Sequence, residues 1–271
     1  MSNMPQVFNR RNRVLLKELS KTDFKLRYQG SVLGYLWAVL RPMLLFLILY
    51  VVFSKILRFG ADIPHYPVYL LCGTIFWNFF TECTNMGIQS IVMRGDLIRK
   101  LSFPKWIITI STTSTAVINL FINICVLIIF ALFNGVTPSW TWLLVPVSII
   151  EIYSLALGIA FLLGSINVKY RDIASIWEVM IQALFYCAPI IYPVSMVANY
   201  SVLAARIVLL NPIAQVIQDV RYNLITNTTI TTWNYEGSWW SKMVPVVLVV
   251  VVFFAGAIYF RKKCKYFAEE V

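Results

Sequence analysis

Four polar side chains recur along one otherwise apolar run. In "FWNFFTECTNMGIQS", Asn78, Glu82, Asn85 and Gln89 follow one another at steps of four, three and four residues. That spacing keeps all four on one face of a helix. A second run repeats the pattern with Thr112, Thr115, Asn119 and Asn123, while Glu151 with Tyr153 and Glu178 with Gln182 mark two more. Three chemistries are open to such groups. Amides and hydroxyls can hold membrane helices together, at about 0.6 kcal/mol per hydrogen bond. They can line a hydrated path, or the carboxylate can pair with a cation such as Arg41, since a charge should not face lipid. Alternatively, Glu82, Glu151 and Glu178 could converge as the acids of an intramembrane transferase.

Signatures of catalysis are sparse. The single histidine, His65, excludes a histidine-cluster metal site. The five cysteines (Cys72, Cys83, Cys125, Cys187, Cys264) show no paired spacing and fall mostly in apolar runs, as small hydrophobes do. No G-x-x-x-x-G-K-[ST] loop, G-x-S-x-G elbow or H-E-x-x-H pair occurs. We therefore assign no catalytic residue and no metal ligand.

The elements that must position these groups are membrane helices. Of 271 residues, 59% are hydrophobic and 13% charged, with a mean hydropathy of +0.74; soluble domains carry about 25% charged residues. No cleavable signal peptide is expected before the first apolar run, because the first thirty residues are too charged. At about 20 apolar residues per crossing, six spans are expected: 32–57, 68–92, 106–133, 142–168, 173–192 and 244–260. The net charge of +11 is spread as topology signals are, not as a nucleic-acid surface. Arg10, Arg11, Arg13, Lys17, Lys21, Lys25 and Arg27 precede the first span, and Arg94, Arg99, Lys100, Lys105, Lys169 and Arg171 fill two alternate loops. Arg261, Lys262, Lys263 and Lys265 follow the last span. Only Lys55, Arg58, Arg206, Arg221 and Lys242 fall on the other side, so both termini are expected in the cytoplasm.

Three segments do not span. Residues 12–28 place Leu15, Leu19 and Leu26 among cations, as in an amphipathic surface helix; a solvated basic tail is the plainer alternative. Residues 94–105 read as a short inner helix, with Asp96 near its start, Arg99 and Lys100 near its end, and Pro104 closing it. Residues 195–241 are an outer segment whose helical period breaks at Asn211-Pro212, giving two short helices that dip toward the membrane. Tyr35, Trp37, Phe76, Trp77, Phe79, Phe80, Trp106, Tyr186 and Tyr192 sit mostly near span ends, either as an interfacial belt or as stacking surfaces for sugar rings.

Four stretches in order carry a family likeness: "LKELSKTDFKLRYQGSVLGYLWAVLRPM", "RGDLIRKLSFPKW", "NVKYRDI" and "LLNPIAQVIQDVRYNL". With them, essentially the whole chain resembles the membrane subunit of ABC-2 type polysaccharide exporters, the O-antigen, capsule, teichoic-acid and rhamnan exporters among them. The wording of the first two stretches looks closest to Gram-positive rhamnan or teichoic-acid permeases. The resemblance implies an all-α, single-domain chain over residues 1–271, working as a homodimer in the plasma membrane. It implies two copies of a cytoplasmic ATPase partner that carries the ATP and magnesium, with no cofactor in this chain, and a glycan on an undecaprenyl-diphosphate lipid as cargo.

By the same resemblance, residues 12–28 are an interface helix and 94–105 the coupling segment. Arg94, Asp96, Leu97, Arg99 and Lys100, with Lys17 and Lys21, would meet the ATPase. Tyr35, Trp37, Asn78, Glu82, Asn85, Gln89 and Asn119 would line the channel, and Asn211, Pro212, Asp219 and Arg221 would belong to the outer gate. At the entrance, Gly30 and Gly34 allow a sharp turn into the first span, and Pro42 loosens its backbone. Arg41 and Arg27 are candidates for the lipid diphosphate, because a guanidinium binds phosphate through paired hydrogen bonds. For Arg41, snorkelling to headgroups or neutralising Glu82 are the rival roles. Another ABC-2 cargo, such as a drug or lipid, and an ATPase-free scramblase are the rival functions.

Overall fold

The computed structural model describes residues 10–57 and 63–270; Arg58, one of the outer-side cations above, lies outside them. Among the described residues every regular element is helical. Helix α1 (Arg10–Tyr28) runs against α5 (Trp106–Phe133). Its inward face carries Asn12, Leu15, Leu16, Leu19, Asp23, Phe24 and Tyr28, whereas Leu26 is exposed. The chain then turns at Gly30 (φ +85°) and Gly34 (φ +49°), left-handed conformations that cost glycine little.

A 3₁₀ turn, Gly34–Leu36, leads into α2 (Trp37–Leu49), which continues as a π-helical stretch, Tyr50–Ile56. Pro42 lies inside α2 and lacks the N–H that would bond the carbonyl four residues back, Ala38. That carbonyl is satisfied from another helix: Asn123 Nδ2 of α5 donates to Ala38 O at 3.1 Å. Pro42 and Asn123 are thus two halves of one arrangement.

Helix α3 (Tyr66–Met93) is the bundle's centre, packed against α5 and α6 (Val145–Asn167). It is wholly or nearly buried along most of its length. Helix α6 in turn packs on α11 (Trp239–Lys263), and their backbones cross at two glycines. A Cβ at Gly256 would stand 2.1 Å from the Gly158 carbonyl oxygen. Small residues let membrane helices approach this closely.

Six crossings do not emerge from length and composition. Among the described residues four helices qualify, Gly34–Ile56, Trp106–Phe133, Trp140–Asn167 and Trp239–Lys263, and a bent pair makes a fifth if it counts as one span. Helix α3 has 28 residues but its polar stripe dilutes its apolar character, which a helix enclosed by others can tolerate. The fifth expected span is a 15-residue helix, α7 (Ile173–Cys187), followed by irregular chain to Pro193. That falls short of the roughly 20 residues a crossing needs.

The bent pair follows α8 (Val194–Tyr200). Helix α9 (Val202–Leu209) meets α10 (Pro212–Leu224) at 94°, with the corner at Asn211 and Pro212. Asn211 Oδ1 accepts from Ile213 N at 3.0 Å, capping α10, and Pro212 takes the first helical position, where no N–H is needed. At the opposite end of the bundle, α4 (Gly95–Lys100) follows α3 directly, and α12 (Phe267–Glu270) folds against it. Phe267 and Ile98 are both buried there, with the Phe260 ring 5.3 Å from that of Phe267.

Candidate functional site: a polar cleft between α1, α2, α3 and α5

Most of α3 is sealed, but its Asn78–Glu82–Asn85 stripe is only half-buried, because it opens on a cleft of about 500 Å³. Arg27 and Tyr28 of α1 line one side, Trp37, Ala38, Arg41 and Pro42 of α2 the next, and Asn119 and Asn123 of α5 the last. Of the seven residues expected to line a channel, Trp37, Asn78, Glu82, Asn85 and Asn119 lie on this cleft. Gln89 lies a turn beyond the cleft, and Tyr35 is exposed and stacked on Phe24 at 5.2 Å. Both diphosphate candidates, Arg27 and Arg41, are at its wall.

The carboxylate is at the hub of a network. Arg27 Nη1 pairs with Glu82 Oε1, which also accepts from Asn119 Nδ2 at 2.7 Å. Tyr28 Oη donates to Asn119 Oδ1 at 3.0 Å, so α1, α3 and α5 are tied through polar contacts. Burial pushes the Tyr28 phenol up, an effect that neighbouring Arg27 opposes. The cation on Glu82 is therefore Arg27, not Arg41 as the sequence allowed. Arg41 is exposed on the cleft and makes no hydrogen bond or ion pair among the described residues.

This arrangement offers an uncommitted guanidinium beside a wall of amides and one indole. A guanidinium suits phosphate, amides supply donors and acceptors for hydroxyl groups, and an indole offers a flat face. The other acids do not join in. Glu151 neighbours Gln215 and Asp219, Glu178 is exposed, and among the described residues no three His, Cys, Asp or Glu side chains form a metal-binding group.

Below the cleft, α4 exposes Asp96, Arg99 and Lys100 and turns Ile98 inward. Arg94, at its start, is ion-paired with Asp23 of α1, and burial lowers the pKa of its guanidinium. Lys17 and Lys21 are exposed on α1. Composition hid Asp23 because it sits in a basic segment; its place on the apolar face, four residues before Arg27, was the available signal.

In residues 195–241 Asn211 and Pro212 form the corner, and Asp219 accepts from Trp233 Nε1 at 3.0 Å. Arg221 faces inward instead of outward. It is fully buried, lies 3.5 Å from the centre of the Tyr69 ring, and donates to Tyr69 O, Pro189 O, Ile190 O and Gln218 Oε1. A Cβ at Gly73 would stand 2.3 Å from its Nη2, so the glycine makes its room. Arg221 clamps α10 to α3 and to the chain after α7.

The ABC-2 type transporter family model matches residues 14–225. An O-antigen export system permease protein RfbA of Klebsiella pneumoniae is 30% identical over 94% of this chain and 94% of its own length. The RfbA of Myxococcus xanthus is 26% identical over 96% of both. The polysialic acid transport protein KpsM of Escherichia coli is 23% identical over 67% of this chain and 70% of its own.

Proposed function

Because the chain belongs to the ABC-2 type transporter family, a multi-pass membrane family, we propose that it is the permease subunit of an ATP-driven polysaccharide exporter. Its cargo is a cell-envelope glycan of O-antigen, teichoic-acid or rhamnan type on an undecaprenyl-diphosphate lipid. The permease works in the plasma membrane as a homodimer with six spans, α3 and the α7 region completing the count, and with both termini in the cytoplasm. Two cytoplasmic ATPase subunits bind and hydrolyse ATP with magnesium. The relatives named for O-antigen export and polysialic acid transport support the polysaccharide assignment.

The observation that carries the reading is the cleft. It joins an unpaired, exposed Arg41 to the amides of Asn78, Asn85 and Asn119 and the indole of Trp37. A diphosphate head followed by sugars needs that sequence of chemistries: a cation first, then hydrogen-bonding and stacking surface. ATP binding closes the partners against α4, with Asp96, Leu97, Arg99 and Lys100 at the contact, and against α1 at Lys17 and Lys21. The motion widens the path along the Asn78–Glu82–Asn85 stripe, and the corner at Asn211–Pro212 yields at the exit.

The test is ATPase activity in lipid nanodiscs, with the permease alone and co-expressed with its genetically neighbouring ATPase. Activity should appear only with the partner and fall when Asp96 and Arg99 are both changed to alanine. Absence of a co-purifying ATPase, or indifference to the double substitution, would remove the coupling role.

A further inference from the structure

The cleft and the partner-docking end lie apart, yet one helix holds both. On α1, Asp23 and Arg27 are four residues apart, so they lie on one face about 6 Å from each other along the axis. Asp23 reaches down to Arg94, immediately before α4, and Arg27 reaches up to Glu82 in the cleft wall. The two anchors are on the same partner helix, at the end of α3 and three turns inside it.

We propose that α1 is a lever whose Asp23–Arg94 grip transmits movement of α4 to the Arg27–Glu82 pair, and so sets whether Arg27 is available to an anionic head group in the cleft. Asp23 is the positioning residue of this device. It touches no substrate and acts only through Arg27.

The surroundings of the grip suit it to holding under load. Asp23 and Arg94 are mostly withdrawn from solvent, with side chains 10% and 19% exposed, so their attraction is little screened. The second Asp23 oxygen is buried without a hydrogen-bond partner, so the contact with Arg94 is what compensates this carboxylate. The helix itself ends at Tyr28, and the left-handed Gly30 two residues on provides a hinge. At the cleft, Glu82 keeps its bond from Asn119 when Arg27 departs, so the carboxylate is not stranded. The freed Arg27 then joins Arg41 on the wall, and two guanidinium groups bind a diphosphate better than one.

This inference rests on the reading of α4 as the segment that meets an ATPase. The experiment uses the permease–ATPase complex in nanodiscs and a short-chain polyprenyl diphosphate as probe. Probe affinity is measured with and without a non-hydrolysable ATP analogue, and ATPase content of the particles is measured in parallel. The wild-type complex should shift probe affinity by about fivefold or more, the lower range of measured site-to-site couplings. Asp23→Asn should reduce the shift to under about twofold, and the exchanged pair Asp23→Arg with Arg94→Asp should restore it, which a merely structural role would not produce.

A full shift in Asp23→Asn, or an exchanged pair that binds the ATPase without recovering the shift, overturns the lever. So does a wild-type complex that contains the ATPase but shows no shift. Particles without ATPase overturn instead the docking reading beneath it.

Discussion

The Pro42–Asn123 arrangement predicts a specific non-additivity. Changing Asn123 to alanine removes the donor to Ala38 O and strands a buried carbonyl next to a proline that cannot serve it. A stranded buried acceptor costs about 1–3 kcal/mol. Asn123 also donates to Asn119 O at 2.8 Å, and losing that bond adds to the total in any background. In Pro42→Ala the helix regains an N–H for Ala38 O, so the carbonyl part of the cost should vanish while the rest remains. The expected coupling between the two substitutions is therefore about 1–3 kcal/mol. At about 2–4 °C per kcal/mol for a chain of this size, that is about 2–12 °C in the melting midpoint. Thermal unfolding in nanodiscs, followed by tryptophan fluorescence across the four proteins of the cycle, reads it directly. Equal losses from Asn123→Ala in both backgrounds would refute the pairing and return Asn123 to ordinary packing.

Other substitutions test the rest of the fold. Arg221→Met keeps the stem but leaves the carbonyls of Pro189 and Ile190 without this donor, so the midpoint should fall by at least about 4 °C; a change within about 2 °C would contradict the clamp. Gly256→Ala drives a Cβ against the Gly158 backbone and should cost about 1–3 kcal/mol as overpacking, which unaltered melting would rule out. Phe267→Ala should release the C-terminal segment from Ile98 and Phe260, so that trypsin cuts after Lys262, Lys263 and Lys265 faster, while an unchanged rate would mean another contact holds it. A cysteine placed at exposed Lys265 in a cysteine-free background should react with an impermeant maleimide only in inverted vesicles; labelling in right-side-out cells would reverse the proposed topology.

Much of the helical plan was legible because its causes are local. The α9–α10 corner was written in Asn-Pro, the turn after α1 in Gly30 and Gly34, and the presence of α4 in its charges, although that helix stops at Lys100, short of Pro104. The stripe on α3 was visible from spacing alone, and the structure opens it on the cleft. What sequence left open was which distant groups meet. Arg27 and Arg41 are both cations near one helix entrance, and only the path of the chain after Gly30 decides that Arg27 takes Glu82. Arg221 read as an outer cation because charge usually seeks water; its burial depends on carbonyls released where the α7 segment loses helical form, which no local pattern announces. Length and composition alone do not return six spans, for a related reason. Apolar length measures what lipid requires, and α3, enclosed by other helices, is free to carry polar groups that a lipid-facing helix could not.

The most direct test of the central claim is transport itself. Proteoliposomes holding the permease and its ATPase partner would be given a polyprenyl-diphosphate-linked oligosaccharide on the ATP-accessible side, and its appearance on the far side measured with lectin or enzyme access. The account predicts movement that requires ATP and the partner and collapses in Arg41→Ala. Equally fast movement without ATP or partner would identify a scramblase and contradict the account.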